Sequence, residues 1–136
     1  MRFFLLLITG CLFGGSVLGQ GRQQDTTLAV QLAQAQLDAY NQRNIDKFLE
    51  PYADTVAIYR FPGQLLYRGK AQMRKEYAEM FNQLPELLCT LVKRIALGNT
   101  VIDEESVLIR SGAPLIRAVA IYTIAGGKIA TVTFIQ

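Results

Sequence analysis

After Pro85 the chain is patterned for β-structure alone, and nothing else in the sequence limits the fold as sharply. Four runs of strand length, at about 87–97, 101–110, 115–124 and 129–135, are separated by Gly98-Asn99, Ser111-Gly112-Ala113-Pro114 and Ala125-Gly126-Gly127-Lys128. Turn residues at that spacing make neighbouring strands antiparallel, so the second half of the chain reads as a meander. Such a sheet needs a cover for its apolar face.

The first half supplies one. Asp25 to about Gln42 reads as a helix, with Asp25, Thr26 or Thr27 able to cap it. Leu28, Leu32, Ala35 and Ala39 form one stripe, and Val30, Ala33, Leu37 and Tyr40 a neighbouring one. Asn44 is placed to cap a shorter helix in which Ile45, Phe48, Leu49 and Tyr52 recur at helical spacing, with Pro51 limiting its length. Val56 to Phe61 reads as a strand, Pro62-Gly63 as a turn and Leu65 to Arg68 as a return strand. A third helix is predicted from about Lys70 to Leu84, stopped by Pro85, with Met73, Tyr77, Met80, Phe81 and Leu84 on one side. Helices first and a long antiparallel sheet afterwards imply the α+β class, with a curved, cone-shaped sheet wrapped around three helices and a conical cavity between them.

The chain has 136 residues, room for one domain. Met1-Arg2, the apolar run Phe3 to Ile8 and the small residues up to Gly19 have the layout of a secretory signal peptide, which divides the chain into a leader at 1–19, a flexible mature N-terminus at 20–27 and a domain at 28–136. The expected location is therefore outside the cytoplasm, periplasmic or extracellular. Gly10, Gly14, Gly15 and Ser16 break the apolar stretch, which argues against a membrane span. Ile8-Thr9-Gly10-Cys11 resembles a lipobox, an alternative in which Cys11 carries a lipid anchor. Intact-mass measurement of the exported protein separates the two.

The sequence contains no histidine. Histidine bases, Ser-His-Asp and Cys-His catalysis and histidine-ligated metal sites are thereby unavailable, and no metal site is expected. Without the leader, Cys89 is the only cysteine, so no intramolecular disulfide can form. It reads as a small buried hydrophobe. A net charge of +3, with no basic cluster longer than two adjacent residues, gives no footprint for nucleic acid. Phosphate-binding glycine loops are absent, and no cofactor is expected.

The order helix, "NxxNIDKFLxxYAD", strand, helix, "LP", then strands ending in "GGKIATVTFI" resembles the SnoaL-like branch of the nuclear transport factor 2 superfamily over essentially the whole mature chain. That resemblance implies a cone serving enzymes and non-catalytic proteins alike. It also allows comparison with ketosteroid isomerase, to which "YADTVAIYRFPGQLLYRG" is similar without gaps. Arg60 stands at the position of the proton-shuttling aspartate and Gln36 at that of the oxyanion-hole tyrosine, while Ala118 to Ala120 carry no second acid. Only the supporting tyrosine is matched, by Tyr77, so the isomerase chemistry is not implied.

What the resemblance does imply is direction. Val56, Ile58 and Arg60 are expected to face the cavity, with Tyr77 and Phe81 from the third helix and Val132 and Phe134 from the last strand. A mostly apolar set with few polar groups suits a small hydrophobic ligand, and Arg60 offers a place for an anionic group on it. Filling of the core by the same side chains is the competing reading. In "GNTVIDEESV" the period of two places Asp103 and Glu105 on one face with Val101 and Val107, and Glu104 on the other with Ile102 and Ser106. Glu105, with Asp103, is expected to face the cavity and pair with Arg60 or Arg117; a solvated edge strand is the alternative. An enzymatic reading makes Glu105 or Asp103 the base of a cofactor-free isomerase, dehydratase or hydrolase, with Tyr77 or Arg60 stabilising negative charge. A third reading is a homodimeric interaction module whose outer sheet face includes Thr131, Thr133 and Ile135.

Overall fold

The structure, a computed structural model, describes residues 17–136. The leader expected at 1–19, with Cys11, lies outside the described residues for all but its last three positions. The elements run α1 (Val17–Asn41), α2 (Ile45–Leu49), β1 (Tyr52–Arg60), β2 (Gln64–Arg68), α3 (Lys70–Gln83), β3 (Leu88–Leu97), β4 (Thr100–Leu108), β5 (Ile116–Ala125) and β6 (Lys128–Ile135). The strands make one sheet in the order β2-β1-β6-β5-β4-β3. Every ladder is antiparallel except β1 with β6, which is parallel. The all-antiparallel expectation is corrected there, because a four-strand meander returns β6 in the same direction as β1. Register shifts at Ile58/Tyr59, Leu91/Lys93 and Thr123/Ile124 mark irregularities of the kind that bend strands, and the sheet is curved and unclosed.

Helix α1 starts earlier than its sequence suggests. Asp25, Thr26 and Thr27 do not cap it; the Thr26 and Thr27 hydroxyls donate to the carbonyls of Arg22 and Gln23, at 3.0 and 2.9 Å, inside a helix already formed. Its buried face is carried by Ala29, Ala33, Gln36, Leu37 and Ala39, whereas Ala35 is exposed. Three alanines on that face let the helix lie close to the sheet, and it touches β3, β4, β5 and β6. Asn41 fixes its C-terminal end, since Oδ1 accepts from the Cys89 N–H at 2.8 Å and Nδ2 donates to the Cys89 carbonyl at 2.9 Å. Asn44 caps α2 as expected, accepting from the Lys47 N–H at 3.1 Å. The chain enters α3 through Gly69, whose φ of 91° suits glycine and whose N–H donates to the Val56 carbonyl at 2.7 Å.

Strand β1 begins at Tyr52, where Val56 was expected, because Tyr52 already pairs with Ile129. Phe48, Tyr52, Ile58, Met73, Leu87 and Ile129 are almost fully buried and form the centre of the core. Each is worth about 1.5–3 kcal/mol of apolar burial, so the wide end of the cone can stay open without endangering the fold. No helix among the described residues is long and apolar enough to cross a membrane.

Candidate functional site

The alternation predicted for β4 holds. Val101, Asp103 and Glu105 are buried on the concave face, and Glu104 lies on the convex face, where Arg117 donates to it. The expected partnership of Arg117 with Glu105 is thus corrected: Arg117 pairs with Ser106 in register and projects with the outward set.

Asp103 and Glu105 have separate fates. Asp103 is 0% exposed and stands opposite Arg94 of β3, which grips both its oxygens through Nε and Nη2 at 2.7 Å each. Arg94 Nη1 also donates to Gln34 Oε1 of α1 at 2.9 Å. Asp103 is consumed by this pair and does not reach the cavity wall, so it is no candidate base. Glu105 does reach the wall, and its partner across the ladder is Ala118.

Ala118 and Ala120 are small residues on the concave face of β5, and Tyr122 follows them on the same side. The Tyr122 hydroxyl donates to Glu105 Oε1 at 3.2 Å. It accepts in turn from Gln36 Nε2 at 3.0 Å, which also donates to the Ala33 carbonyl at 3.0 Å, while Gln36 Oε1 accepts from the Tyr52 hydroxyl at 3.1 Å. The amide cannot turn over without losing these bonds. Each donor in the chain Tyr52, Gln36, Tyr122 therefore points toward Glu105.

Burial, and next to it the nearby Asp103 carboxylate, push Glu105 up from its ordinary value to about 7, against the Tyr122 and Cys89 hydrogen bonds and the Arg94 charge, which lower it. The Cys89 thiol is pushed up to about 12, first by burial and then by Glu105, which makes it a poor nucleophile and agrees with its reading as a buried hydrophobe.

Glu105 stands on the wall of a cavity of about 560 Å³. Tyr40, Tyr52, Tyr67, Tyr77 and Tyr122 line it, with Phe48 and Phe134. Of the six tyrosines in the chain only Tyr59 is elsewhere, so the tyrosine content is concentrated at this one place. The Tyr40 and Tyr77 hydroxyls belong to cavity-lining residues and make no side-chain hydrogen bond among the described residues, and burial raises both groups above the ordinary tyrosine range. They are available to a bound molecule.

Of the side chains expected to line the pocket, Ile58, Arg60, Tyr77, Glu105 and Phe134 do so. Val56, Phe81 and Val132 do not. Val56 and Val132 are sealed in the core at 0% and 1% exposure, and Phe81 stands behind the wall, edge-on to Tyr40 and Phe48 at centroid distances of 5.5 and 5.6 Å. Arg60 sits at the mouth, exposed, and pairs with no acid among the described residues; solvent removes the need for the partner that a buried arginine would require. Gln36, Tyr40, Tyr52, Tyr67, Arg94 and Tyr122 are the residues that the sequence reading missed. The signal that could have found Tyr122 is the inward series Ala118, Ala120, Tyr122, two small side chains followed by a long polar one. Among the described residues no group of three His, Cys, Asp or Glu could hold a metal ion.

A sheet curved over three helices, with one acid and a ring of phenols inside the hollow, defines a cone-shaped α+β cavity protein. The SnoaL-like domain family matches residues 33–132, and the chain belongs to it. Among solved structures it is similar to an uncharacterised cystatin-fold protein of Novosphingobium aromaticivorans, with 25% identity, 79% of this chain and 97% of that one covered, and a TM-score of 0.71. It is also similar to a SnoaL-like protein of unknown function from Burkholderia thailandensis, with 19% identity, 80% and 93% coverage and a TM-score of 0.67. A protein of Kribbella flavida provisionally described as a ketosteroid isomerase gives 19% identity, 81% and 78% coverage and a TM-score of 0.69. The comparison with curated proteins finds no match. These likenesses agree with the cone expected from the sequence.

Proposed function

We propose that the protein binds a small, mostly apolar molecule inside the cone, with a polar group of that molecule set against Glu105. The supporting observation is a carboxyl group only 7% exposed that nevertheless lies on the wall of a cavity of about 560 Å³. Polar groups elsewhere in the core are used up in pairs; this one has room in front of it. Ala118→Phe places a ring into the hollow directly opposite Glu105. Binding of 1-ethylnaphthalene, followed by quenching of tyrosine emission in a chain that has no tryptophan, is expected to saturate for the wild type and to weaken about tenfold or more in Ala118→Phe. Equal binding by both proteins excludes the cavity as the site.

Catalysis is the second reading, and the position of Glu105 near neutrality favours it. A carboxyl group held at about 7 can take a proton from a carbon acid and return it, while the unpartnered hydroxyls of Tyr40 and Tyr77 offer donors for a developing oxyanion. Solvent deuterium exchange into a bound ketone, abolished in Glu105→Gln, is its test; no exchange leaves a binding protein only. For assembly, we propose a homodimer through the convex face, where Ile95, Ile102, Ile121 and Thr133 stand in register across four strands. Sedimentation showing a monomer at high micromolar concentration refutes it.

A further inference from the structure

The charge that this cavity selects is set by its inner wall. Asp103 and Arg94 cancel one another in a two-toothed ion pair, so Glu105, when ionised, gives that wall a net negative charge. The other groups that face Glu105 are neutral: Cys89 from β3, Tyr122 from β5, Tyr52 from β1, Tyr40 from α1 and Tyr77 from α3, with Tyr67 of β2 further along the lining beside Glu76. Arg60 and Glu76 both belong to the lining and are both exposed, so the rim has no clear sign. Six aromatic rings besides Tyr122 surround the hollow, and ring faces are themselves regions of negative potential.

We propose that the molecule bound in the cone is an apolar organic cation, an amine carried on a hydrocarbon body, with its ammonium group against Glu105 and its body among Tyr40, Phe48, Tyr77 and Phe134. This rests on the cavity reading above and names the ligand class for it. An anionic group at the same depth would meet the Glu105 carboxylate, with no unpaired cation at that depth among the described residues. The sequence-based allowance for an anionic group near Arg60 places that group at the rim, in water, where it contributes little.

Three molecules of nearly one shape make the test: 1-naphthylmethylamine as the cation, 1-ethylnaphthalene as the neutral probe and 1-naphthylacetate as the anion. At about pH 8 the amine is expected to bind about tenfold tighter than the neutral probe, and the acetate about tenfold weaker. Ionisation of Glu105 is lost as pH falls through about 7, so between about pH 8 and pH 6 the amine is expected to weaken by up to about tenfold. The neutral probe should gain modestly, because expelling water from the hollow favours the protonated acid, and the acetate should gain more. Glu105→Gln should compress the three affinities toward one another, and the pH series on the wild type stands by itself if that variant folds poorly. Equal affinities at both pH values, or an acetate that binds tightest, overturn the cation assignment and leave the cavity reading standing. Failure of all three probes to bind overturns both.

Discussion

Arg94→Met is expected to lower the free energy of unfolding by about 3–5 kcal/mol, the largest loss from any single polar substitution in the concave wall. Asp103 has no access to water and both its oxygens rest on the one guanidinium. Taking that group away strands a charge in the interior, along with the Gln34 carbonyl on α1 that Arg94 also serves. The remedy is informative: Arg94→Met combined with Asp103→Leu removes both charges and is expected to recover most of the loss. Arg94→Lys should recover less, since an ammonium cannot span two oxygens. Urea melts at neutral pH measure all three. A loss below about 1 kcal/mol in Arg94→Met shows that Asp103 is hydrated and that the narrow part of the cone is wetter than described.

The second large effect is a dependence of stability on pH that runs opposite to that of a paired surface acid. In the unfolded chain Glu105 has its ordinary value near 4.5, and in the folded protein it is held at about 7. Between those values the folded state keeps a proton that the unfolded state has lost, so stability falls as pH rises from about 4.5 to about 7 and levels off above. The full shift corresponds to on the order of 3 kcal/mol as an upper bound. Glu105→Gln cannot ionise. It is expected to match the wild type near pH 4.5 and to exceed its stability increasingly up to about pH 8. The difference between the two proteins isolates this one group from the other carboxylates, and a difference that stays constant with pH removes the raised value.

A residue that costs stability when ionised, and that sits on the wall of a hollow, needs a reason other than folding. The relay through Tyr52, Gln36 and Tyr122 supplies part of it. All its donors are turned toward Glu105, which supports the ionised form against burial and keeps the carboxyl poised between its two states. A buried leucine in its place would give a drier and more stable cone with nothing to grip a polar group.

Much of the fold was legible because it is written in periods and breakers. The strand alternation separated Asp103 and Glu105 from Glu104, while the choice between a cavity-facing pair and a solvated edge stayed open, and Asn44 and Pro85 gave helix ends within a residue or two. The N-terminal start of α1 was not legible: Thr26 and Thr27 are good caps, but their hydroxyls have equally good acceptors one turn back in a helix. Partners across the sheet were also hidden. The pairing of Asp103 with Arg94 depends on a register that passes an irregularity at Leu91/Lys93, and a shift of one residue there would turn Arg94 to the convex face. Arg60 could be placed on the correct strand and face, yet its depth along the cone, which decides whether it meets an acid or water, follows from curvature that local sequence does not encode. The tyrosine ring around the hollow drew its members from α1, β1, β2, α3 and β5, and only the assembled fold brings them together.

The most direct measurement is the titration of the Glu105 carboxyl carbon by nuclear magnetic resonance, with and without 1-ethylnaphthalene. A midpoint near 7 that climbs further when the apolar probe displaces water from the hollow is the expected result. A midpoint in the ordinary carboxyl range, unmoved by the probe, would contradict the placing of this acid at the inner wall of a ligand cavity.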